Sequence, residues 1–452
     1  MDDSTAALPT IAAVATPAGI GAVSLIRLSG PNAIEIADRV TLGKASAADS
    51  RVATWCRVRA EDGSVLDDGL LTVFRAPNSY TGEESVEFCG HGGLLVTREV
   101  LSRFLACGAL PAGPGEFTQR AFLNGKLDLT QAEGVMDLIS AQTHLALRAA
   151  REQLEGAIGR RTLAARDEIL SVLAHVEAYI DFPDEDISPE TGRALCDRLA
   201  TVNTTIARLL ATSDQGRILR EGVRTVIFGP PNVGKSSLLN RLLGHERAIV
   251  SEVAGTTRDT IEELINLAGI PLRLIDTAGI REAGDRIEEE GIRRTVRQIE
   301  SADLLLEIVD ASVGKSQPLV ADLSDRVRRL LILNKSDLRE HPDWSGVEGI
   351  RLSCESGEGF EQLESEIAGI LHLGEADWGD HAVAINARHQ ACLERSQTAL
   401  SAAIGFLQPG RADSELAARD LRDALEALGE VVGRIDTEDL LGVIFSSFCI
   451  GK

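Results

Sequence analysis

Gly229-Pro-Pro-Asn-Val-Gly-Lys235-Ser236 is the segment whose residue types and spacing carry the clearest chemistry. Its glycines let the backbone wrap phosphate groups, and a helix opening at Ser237 would turn N-terminal amides toward their charge. Lys235 would reach the outer phosphates and the Ser236 hydroxyl a Mg²⁺ ion, with Asn232, Val233, Gly234 and Ser237 around them. A plain glycine turn explains the glycines but not the lysine and hydroxyl that follow. Asp276-Thr277-Ala278-Gly279 closes the apolar run Leu272-Arg-Leu-Ile275, where a carboxylate can hold the Mg²⁺ shell and a glycine amide can meet a γ-phosphate. Asn334-Lys335-Ser-Asp337 closes another run, Leu330-Leu-Ile-Leu333. Its aspartate can accept from the ring N–H and exocyclic amine of guanine, donors that adenine does not present there. Ser353-Cys354, after Gly349-Ile-Arg-Leu352, is the weaker last element of the set. The contact expected there is a backbone amide, so a small cysteine serves. Together these segments point to GTP.

Hydrolysis needs an oriented water. Many GTPases use a glutamine just past Asp-x-x-Gly, and Ile280 stands in that place here. An apolar side chain cannot orient water, so the work must fall elsewhere. Asn232, with the Gly255-Thr-Thr-Arg-Asp259 segment, resembles the potassium-activated GTPases, in which K⁺ takes the place of an arginine finger. The resemblance implies K⁺ held by Asn232, Ser251, Val253 and Thr256, with Thr257 completing the Mg²⁺ shell. Glu252, Ala254 and Gly255 of the same loop would lie against the nucleotide. Asn232 also suits an ordinary turn.

These segments need a scaffold. Strands alternating with helices over 222 to about 372 are the signature of a parallel α/β sheet. Helical periodicity precedes them, with Ile169, Val172, Leu173, Val176 and Ile180 on one face, and is broken by the acidic loop Asp181-Phe-Pro-Asp-Glu-Asp186. It returns with Leu416, Leu421, Leu425, Leu428 and Val432. Amphipathic helices on both sides of a self-contained domain need a common partner, which predicts one discontinuous helical domain. Residues 10 to about 120 read as mixed α/β, with strands at Ala22–Leu28 and Leu70–Phe74 and helices at Asn32–Arg39 and Leu94–Leu105. No internal repeat or long low-complexity tract is evident.

Composition bounds the rest. A chain of 452 residues implies two to four domains. The seven cysteines are scattered without a C-x-x-C pair, which argues for a reducing compartment and against a zinc site. No apolar run approaches a membrane span, and the start Met1-Asp2-Asp3 is not that of a signal peptide. The expectation is a soluble cytoplasmic protein. The net charge of −23 excludes a broadly basic nucleic-acid surface, though not a local patch. Only six residues are lysine (Lys44, Lys126, Lys235, Lys315, Lys335, Lys452), and four of them fall in segments singled out here.

The chain also holds Tyr80-Thr-Gly-Glu-Glu, Gly90-His-Gly-Gly93 and Gly113-Pro-Gly-Glu-Phe-Thr-Gln-Arg-Ala-Phe-Leu-Asn124, and ends Phe445-Ser-Ser-Phe-Cys-Ile-Gly-Lys452. From about residue 10 to the last, this resembles the MnmE (TrmE) family of tRNA-modification GTPases. The resemblance implies an N-terminal α/β folate-binding and dimerisation domain (1–124), a discontinuous helical bundle (125–217 and 380–452) and an inserted Ras-like P-loop GTPase domain (218–379). It implies a homodimer binding formyl- or methylene-tetrahydrofolate through Arg27, Glu87, Lys126 and Lys452. It further implies a catalytic Glu288, twelve positions past Asp276, acting through water, with the following Glu289 and Glu290 an exposed acidic helix start. The partner would be the flavoprotein MnmG (GidA), forming a heterotetramer and supplying FAD and using NADH. The product would be an aminomethyl or carboxymethylaminomethyl group on carbon five of the tRNA wobble uridine. Cys449 is either a buried structural cysteine or a thiol offered to that chemistry, and His91 reads as structural. A ribosome-assembly switch GTPase, or a folate-binding regulator, would leave the terminal Cys-Ile-Gly-Lys and the N-terminal motifs unexplained.

Overall fold

Alternating burial along Val23–Ser29, with Ser24, Ile26 and Leu28 inward, sets the pattern of the first sheet. Its strands are β1 (Ile11–Val14), β2 (Val23–Ser29), β3 (Thr54–Arg59), β4 (Val65–Phe74), β5 (Ser85–His91) and β6 (Leu110–Pro111), in the order β3-β4-β5-β2-β1-β6. Pairing is antiparallel except between β1 and β6. The helices Ala33–Thr41 and Leu94–Ala106 cover one face, closing a core of Ile26, Leu28, Val58, Leu71, Val73, Val86, Phe88 and Phe104. Each such side chain contributes about 1.5–3 kcal/mol when fully buried. The opposite face carries two cross-strand rows, Trp55-Leu70-Cys89-Leu25 and Thr72-Glu87-Arg27-Ala13.

The computed structural model describes residues 8–181, 192–244, 263–267, 269–275, 302–315, 327–371, 384–408, 413–433, 438–446 and 448–451. Two compact units divide the chain, Met1–Met136 with Val432–Lys452, and Asp137–Val431. Within the first unit, Phe445 and Phe448 pack with Leu129, Ala132 and Leu441.

The second unit holds a six-stranded sheet of β7 (Val223–Phe228), β8 (Glu263–Leu267), β9 (Ile270–Leu274), β10 (Leu304–Asp310), β11 (Arg328–Asn334) and β12 (Ile350–Leu352), in the order β12-β11-β10-β7-β9-β8. Five strands are parallel, as the apolar runs predict. The sixth, β8, pairs antiparallel with β9 through a tight hairpin at Gly269, which adopts φ +87°. The sheet is therefore mixed, because a two-residue connection cannot return a strand in parallel.

The helical part of this unit is built from both sides of the sheet's sequence. Ile169, Val172 and Leu173 of the helix Ala157–Asp181 and Leu199, Val202 and Ile206 of Gly192–Leu210 share one core with Leu393 and Leu400 of Ala387–Leu407 and Leu421 and Leu428 of Ser414–Val432. The two halves form one discontinuous bundle. Asn386 starts Ala387–Leu407 with a capping box: its side chain accepts from the His389 amide at 2.8 Å, and the His389 ring accepts from the Asn386 amide at 3.3 Å. Such a cap contributes about 1 kcal/mol. Among the described residues no helix is long and apolar enough to cross a membrane.

Candidate functional site

β7 ends at Phe228, and the next six residues turn the chain into the helix Lys235–Gly244. Two glycines make that turn possible. A Cβ on Gly229 would lie 2.1 Å from the Ile308 carbonyl, and one on Gly234 would lie 2.3 Å from the Asn334 amide nitrogen. Asn232 is left-handed at φ +62° and exposed, a conformation that asparagine tolerates better than most residues. The Lys235 ammonium folds back over the loop, donating to the carbonyls of Gly229 at 2.8 Å and Pro230 at 2.7 Å. Burial holds its pKa below the usual lysine range. Ser236 and Ser237 are exposed at the helix start, and Val233 is buried beneath the loop.

Asn334, at the end of β11, joins three segments. It is 2% exposed; its Nδ2 donates to the Val233 carbonyl at 2.7 Å, and its Oδ1 accepts from the Cys354 amide at 3.1 Å. The glycine loop, the Asn334–Asp337 turn and the Ser353-Cys354 turn are thereby fixed as one corner at the C-terminal edge of the parallel strands, where open α/β sheets bind ligands. Lys335 is left-handed at φ +64° and its ammonium pairs with Asp310 at the end of β10. Burial raises the Asp310 pKa, but the hydrogen bonds from Lys335 and Ser312 outweigh it and hold the carboxyl below its usual range. Asp337 projects into solvent. Ser353 is fully buried, its backbone amide donating to Glu358 at 3.0 Å and its hydroxyl accepting from the Ser356 amide at 3.1 Å. Burial pushes the Cys354 thiol up to about 11, so it is a neutral packing group. Arg241 steadies this turn from the helix Lys235–Gly244, donating to the carbonyls of Cys354, Glu355 and Ser356.

The residues Ser251, Glu252, Val253, Ala254, Gly255, Thr256, Thr257, Asp276, Thr277, Ala278, Gly279 and Glu288 lie outside the described residues, as does Lys452.

In the other unit, Arg27 of β2 and Glu87 of β5 sit directly opposite and pair through Nε at 2.9 Å and Nη2 at 2.8 Å. The guanidinium lies 5.6 Å from the ring centroids of both Tyr80 and Phe117. The C-terminal tail returns to the same place: Gly451 offers its carbonyl to Arg27 at 3.5 Å, and Ile450 bridges to Pro114. Cys449 is exposed, its carbonyl accepting from the Gly115 amide at 3.3 Å. Lys126 donates to the Pro77 carbonyl at 3.0 Å and its stem packs near Gly82. Arg27, Glu87 and the tail therefore meet on the open sheet face, whereas Lys126 engages the loop beside it. His91 is tied through Nδ1 to Asp67 at 2.6 Å, a contact that steadies the β5 terminus.

Sequence reasoning missed Asp310 and Arg241, and the bridging role of the Asn334 side chain. It also missed Tyr80 and Phe117, which stand inside the Tyr80-Thr-Gly-Glu-Glu and Gly113–Asn124 motifs and meet Arg27 only in the fold.

A glycine loop between a buried strand and a helix, with a guanine-type turn locked to it by Asn334, defines the class: a P-loop GTPase domain, set within a helical bundle. The model of the GTP-binding protein TrmE N-terminus matches residues 10–126, and that of the MnmE helical domain matches 129–449. The tRNA modification GTPase MnmE of Akkermansia muciniphila is 53% identical over 98% of this chain and 99% of its own. The proteins of the same name from Xanthomonas campestris pv. campestris and Natranaerobius thermophilus are 46% and 42% identical, covering 99% and 98% of this chain and 100% and 99% of their own. The chain belongs to the MnmE family of tRNA modification GTPases.

Proposed function

We propose that this protein binds and hydrolyses GTP in the service of tRNA modification, and that it does so as a K⁺-assisted enzyme. The observation that carries the reading is the Asn334 corner, which sets the glycine loop and the Asp337 turn in one rigid frame. Within it, the Lys235 ammonium is already desolvated at the loop carbonyls and needs little reorganisation to reach β- and γ-phosphate oxygens. Asp337 is free to accept both guanine donors. The exposed Ser236 hydroxyl suits a Mg²⁺ ligand, and Asn232 presents an amide oxygen of the kind K⁺ takes. When bound, the two cations supply positive charge to phosphate oxygens as the γ-phosphoryl departs. Glu288 orients the attacking water in place of the glutamine that Ile280 is not.

The same reading makes the open face of the N-terminal unit a tetrahydrofolate site. Arg27 and Glu87 suit a ligand that carries both pterin donors and glutamate carboxylates, and the Tyr80 ring lies against the guanidinium beside them. When bound, the folate supplies the one-carbon unit. The protein acts as a homodimer in a heterotetramer with the flavoprotein MnmG, which carries FAD and uses NADH, and the tRNA wobble uridine receives the aminomethyl or carboxymethylaminomethyl group. Supporting this part are the family membership and the meeting of Arg27, Glu87 and the C-terminal tail.

Nucleoside mass spectrometry of bulk tRNA tests the proposal. Cells lacking the protein should lose the wobble-uridine adduct and regain it with the wild-type chain. An unchanged nucleoside profile would refute the modification role.

A further inference from the structure

Arg120 is a charged side chain only 1% exposed, as deeply buried as the apolar core around it. It lies between two carboxylates. Its Nη2 donates to Glu116 at 2.7 Å, its Nη1 pairs with Glu83 at 3.2 Å, and its Nε finds no partner among the described residues. Each carboxylate has a second attachment. Glu116 accepts the Gly113 amide at 2.8 Å through its other oxygen, closing the 113–116 turn. Glu83 accepts the Ser29 hydroxyl at 2.7 Å, anchoring the network to β2 two residues from Arg27. The 113–116 turn in turn carries the C-terminal tail. Gly115 has φ +63°, and a Cβ there would lie 2.8 Å from Phe448 Cβ; its amide donates to the Cys449 carbonyl, and Pro114 bridges to Ile450. Phe117, next along the helix Glu116–Leu123, is fully buried and packs under Arg27.

From this chain of contacts we infer that Arg120 is a positioning residue for the ligand site at Arg27 and Glu87. It clamps the 80–84 loop to the 113–116 turn and so holds the tail carrying Cys449 and Gly451 against that site. A buried guanidinium with two carboxylates is an expensive way to support a fold, since apolar side chains of the same volume stabilise as well or better. What the ionic clamp adds is geometric: two bonds from one planar group fix both loops at once. The ligand assignment rests on the tetrahydrofolate reading given above.

The test uses the full-length protein, with Arg120→Lys and, to guard against misfolding around a buried lysine, Glu116→Gln as a second variant. Affinity for 5-formyltetrahydrofolate is measured by calorimetry, and hydrogen–deuterium exchange is followed peptide by peptide. Both variants should lose about tenfold or more in affinity, with exchange accelerated in 113–118 and 445–451 but not in β2, β4 and β5, and with GTP hydrolysis unchanged. Wild-type affinity in both variants would overturn the inference, as would faster exchange spread evenly over the sheet, which would mark Arg120 as a support of the fold alone. Failure of the wild-type protein to bind the folate would overturn the ligand reading instead. The exchange pattern would then still decide whether Arg120 positions the tail.

Discussion

The Asn334 amide nitrogen donates to the Val233 carbonyl at 2.7 Å across 101 residues of sequence, while its oxygen takes the Cys354 amide. One buried side chain thus ties the glycine loop to both the Asn334–Asp337 turn and the Ser353-Cys354 turn. Truncation leaves a carbonyl and an amide without partners, each costing about 1–3 kcal/mol where water cannot reach. Asn334→Ala should weaken GDP affinity roughly 10- to 100-fold. Titration with a fluorescent GDP analogue checks this, and affinity within twofold of wild type would show that the corner forms without it.

Asp337 tests the base assignment itself. A carboxylate accepts from guanine's ring N–H and amine, whereas an amide can also donate, as the carbonyl of xanthine requires. Asp337→Asn should therefore lose affinity for GTP and gain it for XTP, changing the ratio about 100-fold on the ~1.5–3 kcal/mol of each charged hydrogen bond. A parallel drop for both nucleotides in competition binding would remove Asp337 from base reading.

Hydrolysis should depend on the cation. At matched ionic strength the rate in KCl should exceed that in NaCl by about tenfold or more, a modest share of what one preorganised charge supplies in a phosphoryl-transfer site. Asn232→Ser should bring the two rates together. Glu288→Ala should leave nucleotide affinity intact and slow turnover by about 10²-fold, the scale of a lost general base. Equal rates in the two salts for the wild-type protein would end the K⁺ reading, and lost binding in the Glu288 variant would make that residue structural.

How much of this was legible in the sequence follows from the range of the forces involved. The strand–loop–helix around Lys235 was readable because an apolar run, glycines and a helix start act within a dozen residues. The discontinuous bundle was readable because Leu173 and Leu421 lie on apolar stripes that neither segment can bury alone. The antiparallel β8 was not, because its direction is set by the hairpin at Gly269 and not by composition. The return of Gly451 to Arg27, 424 residues apart, is encoded by no local pattern; only the family resemblance, which sets Arg27 and Lys452 at one ligand, pointed to it. Arg120 was not legible either: nothing local marks an arginine on a helix as buried, and only the fold brings Glu83 to it. Lys126, which the resemblance implies for the folate, donates to the Pro77 carbonyl in the loop that also carries Tyr80.

His91 supplies a prediction with a definite sign. The hydrogen bond and charge of Asp67, with Asp68 adding to them, raise the imidazole pKa above its ordinary value, against a small opposing effect of desolvation. A group whose folded pKa is raised stabilises fully below its unfolded pKa, and that contribution fades as pH climbs through the folded value. The ring is 69% exposed, so solvent screens the pair and the effect is small. His91→Ala should therefore lower the melting temperature more at pH 5.5 than at pH 9, and Asp67→Asn should erase most of that difference. Asp67 also accepts the His91 amide at 2.9 Å, so its own substitution should carry an additional loss that does not vary with the state of the ring. Calorimetric melts of the two variants at both pH values separate these parts. A larger loss for His91→Ala at pH 9 would mean that the neutral ring, and not the ion pair, holds the end of β5.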